Sequence, residues 1–194
     1  GERATEARDR GGITAVGDEE HCLGRYVGPH QHRSRLAIDE GERAIARAVR
    51  AQMPGVVLTG HDVNAGVRET VRDMNLLDDV TDTPGAAVID AELVILCVPV
   101  GIMGEVAASL ANDLPPEAIV TDVGSTKASV IAAARHALGS AFERFVPGHP
   151  IAGREHSGVE YSEAALFNDK LFICTPVDQT DAEAVRQVEA LWRS

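Results

Sequence analysis

The sequence predicts an α/β fold, a doubly wound and mostly parallel sheet with helices on both faces, and three observations carry that prediction. From residue 35 onward, short β-rich runs alternate with segments of helical period. The run Leu93-Val94-Ile95-Leu96-Cys97-Val98 is continuously apolar, as a strand covered on both faces must be. The chain has 194 residues, which suits one packed domain and would crowd two.

The elements follow in order. Residues 1–34 mix Gly, Arg, His and acidic residues with no sustained period, so they read as a poorly ordered leader that contributes little to a core. The domain proper then spans 35–194. Leu36 to Ile38 reads as a short first strand, and Ile45, Val49 and the alanines between them suit a helix ending near Pro54. A second strand runs from Val56 to Asp62 and a second helix from Ala65 to Leu76. After a turn-rich stretch at Thr83-Pro84-Gly85 comes the apolar central strand, then a helix from Met103 to Leu110. Ala118 to Val123 is a strand, Lys127 to Leu138 a helix, and Arg144 to Val146 a strand. A last strand, Leu171 to Thr175, precedes a helix from Asp181 to Trp192, which makes about seven strands in one sheet.

Composition narrows the class of partner. Thirty acidic against eighteen basic residues give a net charge of -12, which repels phosphate backbones and argues against nucleic acid or an anionic membrane as a partner. Cys22, Cys97 and Cys174 are odd in number and widely spaced, so they predict neither a disulfide framework nor a CxxC metal motif. Cys97 and Cys174 lie in apolar runs and read as small core side chains. His21, Cys22, His30 and His32 are of metal-binding type, but their spacing fits no standard site, and no metal is expected. With no apolar run near the ~18 residues of a membrane span and no signal-peptide core, the sequence predicts a cytoplasmic protein.

In an open parallel sheet, ligands bind beyond the carboxyl ends of the strands, so residues that follow strands are the candidate site. Asp62 stands at the tip of the second strand, where a carboxylate either accepts the ribose hydroxyls of an adenosine, favouring NAD over NADP, or caps the following helix. The first turn should carry GxGxxG for a diphosphate. Counting back from the helix, its glycine positions fall on Ala37, Asp39 and Glu42, which predicts weak cofactor affinity. The segment Asp122-Val123-Gly124-Ser125-Thr126-Lys127 leaves a strand and enters a helix. Ser125 or Thr126 caps that helix, or a hydroxyl and the Lys127 ammonium orient an acidic substrate. Pro147-Gly148-His149-Pro150-Ile151-Ala152-Gly153 forms a fixed loop holding an imidazole at the sheet edge. His149 is either structural or suited to take a proton from a hydroxyl as hydride leaves its carbon.

These pieces together resemble the prephenate/arogenate dehydrogenase family. The resemblance covers residues 35–194 and runs through Ala91 to Val100, the DVGSTK and GHPIAG segments, Ser157-Gly158-Val159-Glu160, Leu166-Phe167 and Cys174-Thr175-Pro176. It implies a Rossmann-type dinucleotide-binding domain and the NAD-dependent oxidative decarboxylation of prephenate to 4-hydroxyphenylpyruvate, a step of tyrosine and aromatic amino acid biosynthesis. By the same resemblance, His149 is the catalytic histidine that accepts the ring hydroxyl's proton, and Ser125 contacts that hydroxyl and helps to place the nicotinamide. Asp62, Val98, Pro99, Gly124 and Ser125 would line the cofactor cleft; Lys127, Arg154 and Ser157 would face the substrate.

Three departures accompany the resemblance. The glycine fingerprint is missing and residues 1–34 do not resemble the family, as a shifted reading frame or misassigned gene start would produce. Arg154 stands where the family more often has a small hydroxyl residue; it either pairs with a substrate carboxylate or is solvated. The family's helical C-terminal domain, which makes the homodimer and closes the pocket, is not expected within this chain, so the fragment should turn over little substrate. Two alternatives stay open beside the prephenate reading: a catalytically inactive module that binds a nucleotide or a partner, and an arogenate dehydrogenase. A dehydrogenase of a small hydroxy acid would share the sheet, but the HPIAG loop speaks against it.

Overall fold

Strand alternation explains the architecture of the computed structural model, which describes residues 12–17, 40–152 and 166–193. For residues 12–17 and 40–42 the backbone alone is described. The core divides into two layers on either side of the central strand β4, Leu93–Cys97. Val94 and Leu96 turn toward one face, where they meet helices α3 (Pro84–Val88), α4 (Met103–Leu110) and α5 (Lys127–Leu138). Leu93 and Ile95 turn toward the other, where they meet α1 (Glu40–Gln52) and α6 (Ala182–Arg193). Both faces of β4 are therefore dry, which is why its sequence is apolar at every position.

The parallel sheet has six strands in the order β3-β2-β1-β4-β5-β6. They are β1 (Gly12–Gly17), β2 (Val57–Asp62), β3 (Asp79–Val80), β4, β5 (Ile119–Asp122) and β6 (Phe145–Val146). The order reverses between β1 and β4, as in a dinucleotide-binding Rossmann sheet. Helix α2 (Ala65–Asp73) covers the β2/β3 end with Val67 and Val71, packed with Val80 and Leu77. The predicted fold class holds in full.

The first strand is the main correction. The first described strand is Gly12–Gly17, and it comes from the segment expected to be a poorly ordered leader. It pairs in parallel with β2 on one side, from Gly12 opposite Val57 to Gly17 opposite Asp62, and with β4 on the other, from Ile13 opposite Leu93 to Gly17 opposite Cys97. Residues 18–39, which include Leu36 to Ile38, separate it from α1 and lie outside the described residues. The glycine positions counted back from the helix, Ala37, Asp39 and Glu42, assumed a turn of ordinary length. The tip of β1 lies well upstream of them, and Glu42 falls within α1.

Two further elements differ from expectation. Thr83-Pro84-Gly85 begins a helix rather than a turn: Thr83 Oγ1 accepts the Ala86 amide at 3.3 Å and Pro84 occupies the first turn, where its missing N–H costs nothing. The strand expected at Leu171 to Thr175 is β8 (Phe172–Cys174), which does not join the large sheet. It pairs antiparallel with β7 (Gly148–Pro150), inside the segment expected to be an irregular loop. No helix among the described residues is long and apolar enough to cross a membrane.

Candidate active site

The register aligns the strand tips. Gly17 of β1 lies opposite Asp62 of β2 and opposite Cys97 of β4, and Leu96 lies opposite Asp122 of β5. The ends of four neighbouring strands thus meet along the carboxyl edge, across the point where strand order reverses. Val98, buried, and Pro99, half-buried, continue directly from β4 at this edge.

At the β2 tip, Asp62 is 5% exposed and its Oδ1 accepts the Asn64 amide at 2.7 Å. The alternative in which Asp62 caps the next helix is not realised. Asn64 is the cap of α2, accepting the amides of Gly66 at 2.9 Å and Val67 at 3.4 Å. Arg68 ties the tip down, its Nη1 donating to the carbonyl oxygens of Asp62 and Val63 at 2.8 and 3.0 Å while Nε meets Asp82 at 3.2 Å. His61, just before Asp62, is buried with Nδ1 3.0 Å from the Thr81 carbonyl oxygen, so the ring donates from that nitrogen. Burial pushes the His61 imidazole below its usual value, against the pull of that hydrogen bond. A neutral donor buttress at 61 and a fixed carboxylate at 62 suit a ribose site.

The second half of the edge is organised by Asp122, the last residue of β5, whose side chain has no exposure at all. Its Oδ1 accepts the Gly148 amide at 3.1 Å; its Oδ2 accepts the Gly124 amide at 2.8 Å and the Lys127 ammonium at 2.5 Å. Lys127 Nζ also donates to the Gly148 carbonyl oxygen. Burial pushes the Asp122 carboxyl up and the Lys127 ammonium down, and the attraction between the two opposes both shifts. From the sequence alone Asp122 had no assigned role, although a carboxylate closing a strand just before Gly-Ser-Thr-Lys was an available signal.

Each of the two candidate catalytic residues directly follows a glycine whose amide Asp122 accepts. Ser125 is exposed, one residue before Thr126, which is the cap of α5. Thr126 forms no side-chain cap hydrogen bond, so neither hydroxyl is used in the way that a merely structural reading expects. His149 is half-buried on β7, opposite Ile173 of β8. Gly124 packs tightly where it was expected to border the cofactor, because a Cβ there would stand 3.1 Å from both Asp122 Oδ2 and Val100 Cγ2. Lys127 was expected to meet substrate. Its ammonium is held by two oxygens of this chain, with the side chain 14% exposed. Arg154 and Ser157 lie outside the described residues, as do His21, Cys22, His30 and His32.

Among the described residues, no group of three or more His, Cys, Asp or Glu is placed to hold a metal ion. A cavity of about 400 Å³ lies between α1, the segment Phe167 to Lys170 and the end of α6, and none of the predicted site residues lines it.

The family described as "Prephenate dehydrogenase, nucleotide-binding domain" matches residues 45–194. The chain belongs to this family. Within it, the chain is 42% identical over 147 residues to the cyclohexadienyl dehydrogenase of Zymomonas mobilis, covering 76% of this chain and 50% of that protein. It is 34% identical over 149 residues to the prephenate dehydrogenase of Bacillus subtilis, covering 76% of this chain and 40% of that one. Among solved structures, prephenate dehydrogenase from A. aeolicus, in complex with hydroxyphenyl propionate and NAD+, superposes with a TM-score of 0.74 at 27% identity, covering 97% of this chain and 58% of that chain. Synechocystis arogenate dehydrogenase superposes with a TM-score of 0.71 at 23% identity, covering 93% and 55%, and bears on the fold alone. The chain spans about half the length, or less, of these two curated relatives, 50% and 40%.

Proposed function

We propose that this chain is the cofactor-binding half of an NAD-dependent prephenate dehydrogenase, with His149 as proton acceptor and Ser125 as the hydroxyl that orients the substrate. The observation that carries this reading is the placement of both residues on segments joined through Asp122, at the carboxyl edge where strand order reverses. The residues present fit a dinucleotide. The tip of β1 ends in a glycine beside the buried Asp62 carboxylate, and Val98 and Pro99 extend from the neighbouring strand.

In this reading Asp62 accepts the adenosine ribose hydroxyls and repels a 2′-phosphate. Val98 and Pro99 give the nicotinamide an apolar wall. Bound NAD would supply the acceptor for the hydride leaving the hydroxyl-bearing ring carbon. His149 takes the hydroxyl proton as the carbonyl forms, and the ring carboxylate departs as CO2, its bonding pair making the ring aromatic. Aromatisation supplies the driving force, so the protein's tasks are alignment and proton removal. Arg154 is assigned to a substrate carboxylate and Ser157 to its polar rim. The whole protein would act as a homodimer in the cytoplasm, with prephenate preferred over arogenate.

Calorimetric titration with NAD, followed by prephenate-dependent NADH formation, tests the reading. NAD binding that weakens roughly tenfold or more on Asp62→Ala, with any turnover lost on His149→Ala, is the expected result. Absence of NAD binding by the chain, or NADH formation that survives His149→Ala, overturns it.

A further inference from the structure

The two candidate catalytic segments, Gly124-Ser125 and Gly148-His149, come from different parts of the chain, yet one buried ion pair grips the backbone of both. Asp122 takes the amides of Gly124 and Gly148 on its two oxygens, and Lys127 Nζ bridges from Asp122 to the Gly148 carbonyl oxygen. Gly148 is thereby held at both ends of its own residue, N–H by the carboxylate and C=O by the ammonium. The peptide that follows carries His149. Only a glycine fits there, since a Cβ would stand 2.3 Å from the Phe172 ring and 3.0 Å from the Asp122 carbonyl oxygen.

A fold seeking stability alone gains little from such an arrangement. Replacing a buried ion pair with apolar or neutral groups of similar size is commonly neutral or stabilising, because desolvation offsets the attraction. What a pair of this kind supplies is a fixed geometry, since a misplaced carbonyl or amide would leave a buried charge without a partner.

We infer that Asp122 and Lys127 are positioning residues, a clasp that fixes the His149-bearing strand against the Ser125-bearing turn. The clasp sets where the imidazole stands relative to the hydroxyl; neither Asp122 nor Lys127 touches substrate. Its value to catalysis rests on the assignment of His149 and Ser125 above, whereas the clasp itself is measurable without cofactor or substrate.

The test is NMR on the full 194-residue chain, comparing the native protein with Lys127→Met and the double variant Asp122→Asn/Lys127→Met. In the native chain, the Lys127 ammonium should give its own slowly exchanging ¹⁵N resonance. In Lys127→Met, amide exchange at Gly148 and His149 should rise by about tenfold or more. The His149 Cε1–H signal should move, while His61 and His136 stay in place as internal controls. The double variant should recover melting temperature without recovering the His149 signal or the local exchange rates.

Recovery of all three in the double variant would show an element of stability only and overturn the clasp. So would a uniform rise in exchange across Leu58, Val94 and His149. If Lys127→Met does not fold, the double variant and the native ammonium signal decide, and a solvent-averaged Lys127 ammonium overturns the inference. Failure of NAD binding with an intact clasp would count against the proposed function alone; NAD binding with no clasp would count against this inference alone.

Discussion

A Cβ added to Gly148 would lie 2.3 Å from Cζ of Phe172, which stands on the neighbouring strand β8 opposite Pro150. No side chain fits that gap without displacing either the ring or the strand that carries His149. Gly148→Ala should therefore cost about 1–3 kcal/mol, read as a lowered urea midpoint with an unchanged slope. Adding Phe172→Leu should recover part of that loss, because the ring is the nearest obstacle. Recovery should stay incomplete, since the Asp122 carbonyl oxygen also stands 3.0 Å from the added atom.

Asp62 combines burial with a committed Oδ1, which accepts the Asn64 amide at 2.7 Å. A hydrogen bond to a charged acceptor contributes about 1.5–3 kcal/mol. Asp62→Ala should thus weaken NAD binding roughly tenfold or more and narrow the preference for NAD over NADP, both measured by calorimetry. Equal affinity of the variant and native chains for NAD would remove Asp62 from the ribose site.

The sequence showed the doubly wound sheet because β4 is apolar at every position, and it placed α4 and α5 at Met103–Leu110 and Lys127–Leu138 because each has one apolar stripe and a clear end. It hid β1. The run Ile13-Thr14-Ala15-Val16, bounded by Gly12 and Gly17, is short and weakly apolar, and what makes it a strand is pairing with β2 and β4 on both sides. Such tertiary support leaves little trace in local pattern. Ser125 and His149 were legible from their motifs, whereas the link between them was not: Asp122 and Gly148 are 26 residues apart, and only the fold brings them together.

Trp192, near the end of α6, stacks on Phe172 with ring centroids 4.5 Å apart and planes inclined by 11°, and meets the Phe167 ring edge-on at 5.3 Å. Its Nε1 is buried without a hydrogen-bond partner among the described residues. Shape therefore matters here more than polarity. Trp192→Phe should cost less than about 1.5 kcal/mol, because it removes a donor that had no acceptor. Trp192→Ala opens a cavity beside two rings, and for a half-buried side chain should cost about 2–3 kcal/mol. Circular dichroism during denaturation checks both, since each variant lacks the single tryptophan whose fluorescence would otherwise report unfolding.

Asp181 opens α6, its Oδ1 accepting the amides of Glu183 at 2.6 Å and Ala184 at 3.0 Å. The Ala184 amide first, then that of Glu183 and the nearby Arg144, hold its carboxyl below the ordinary aspartate value of 3.8. A carboxyl depressed in the folded state stabilises the fold above its unfolded value, and that contribution fades as pH falls through the folded one. Asp181→Asn keeps an acceptor oxygen for the cap and removes the charge. Denaturation curves should therefore show the native chain more stable than the variant above pH 3.8. The two should converge as acid protonates the native carboxyl. A stability gap that persists unchanged into strong acid would mean that the carboxylate charge contributes nothing at this cap, and that geometry alone starts the helix.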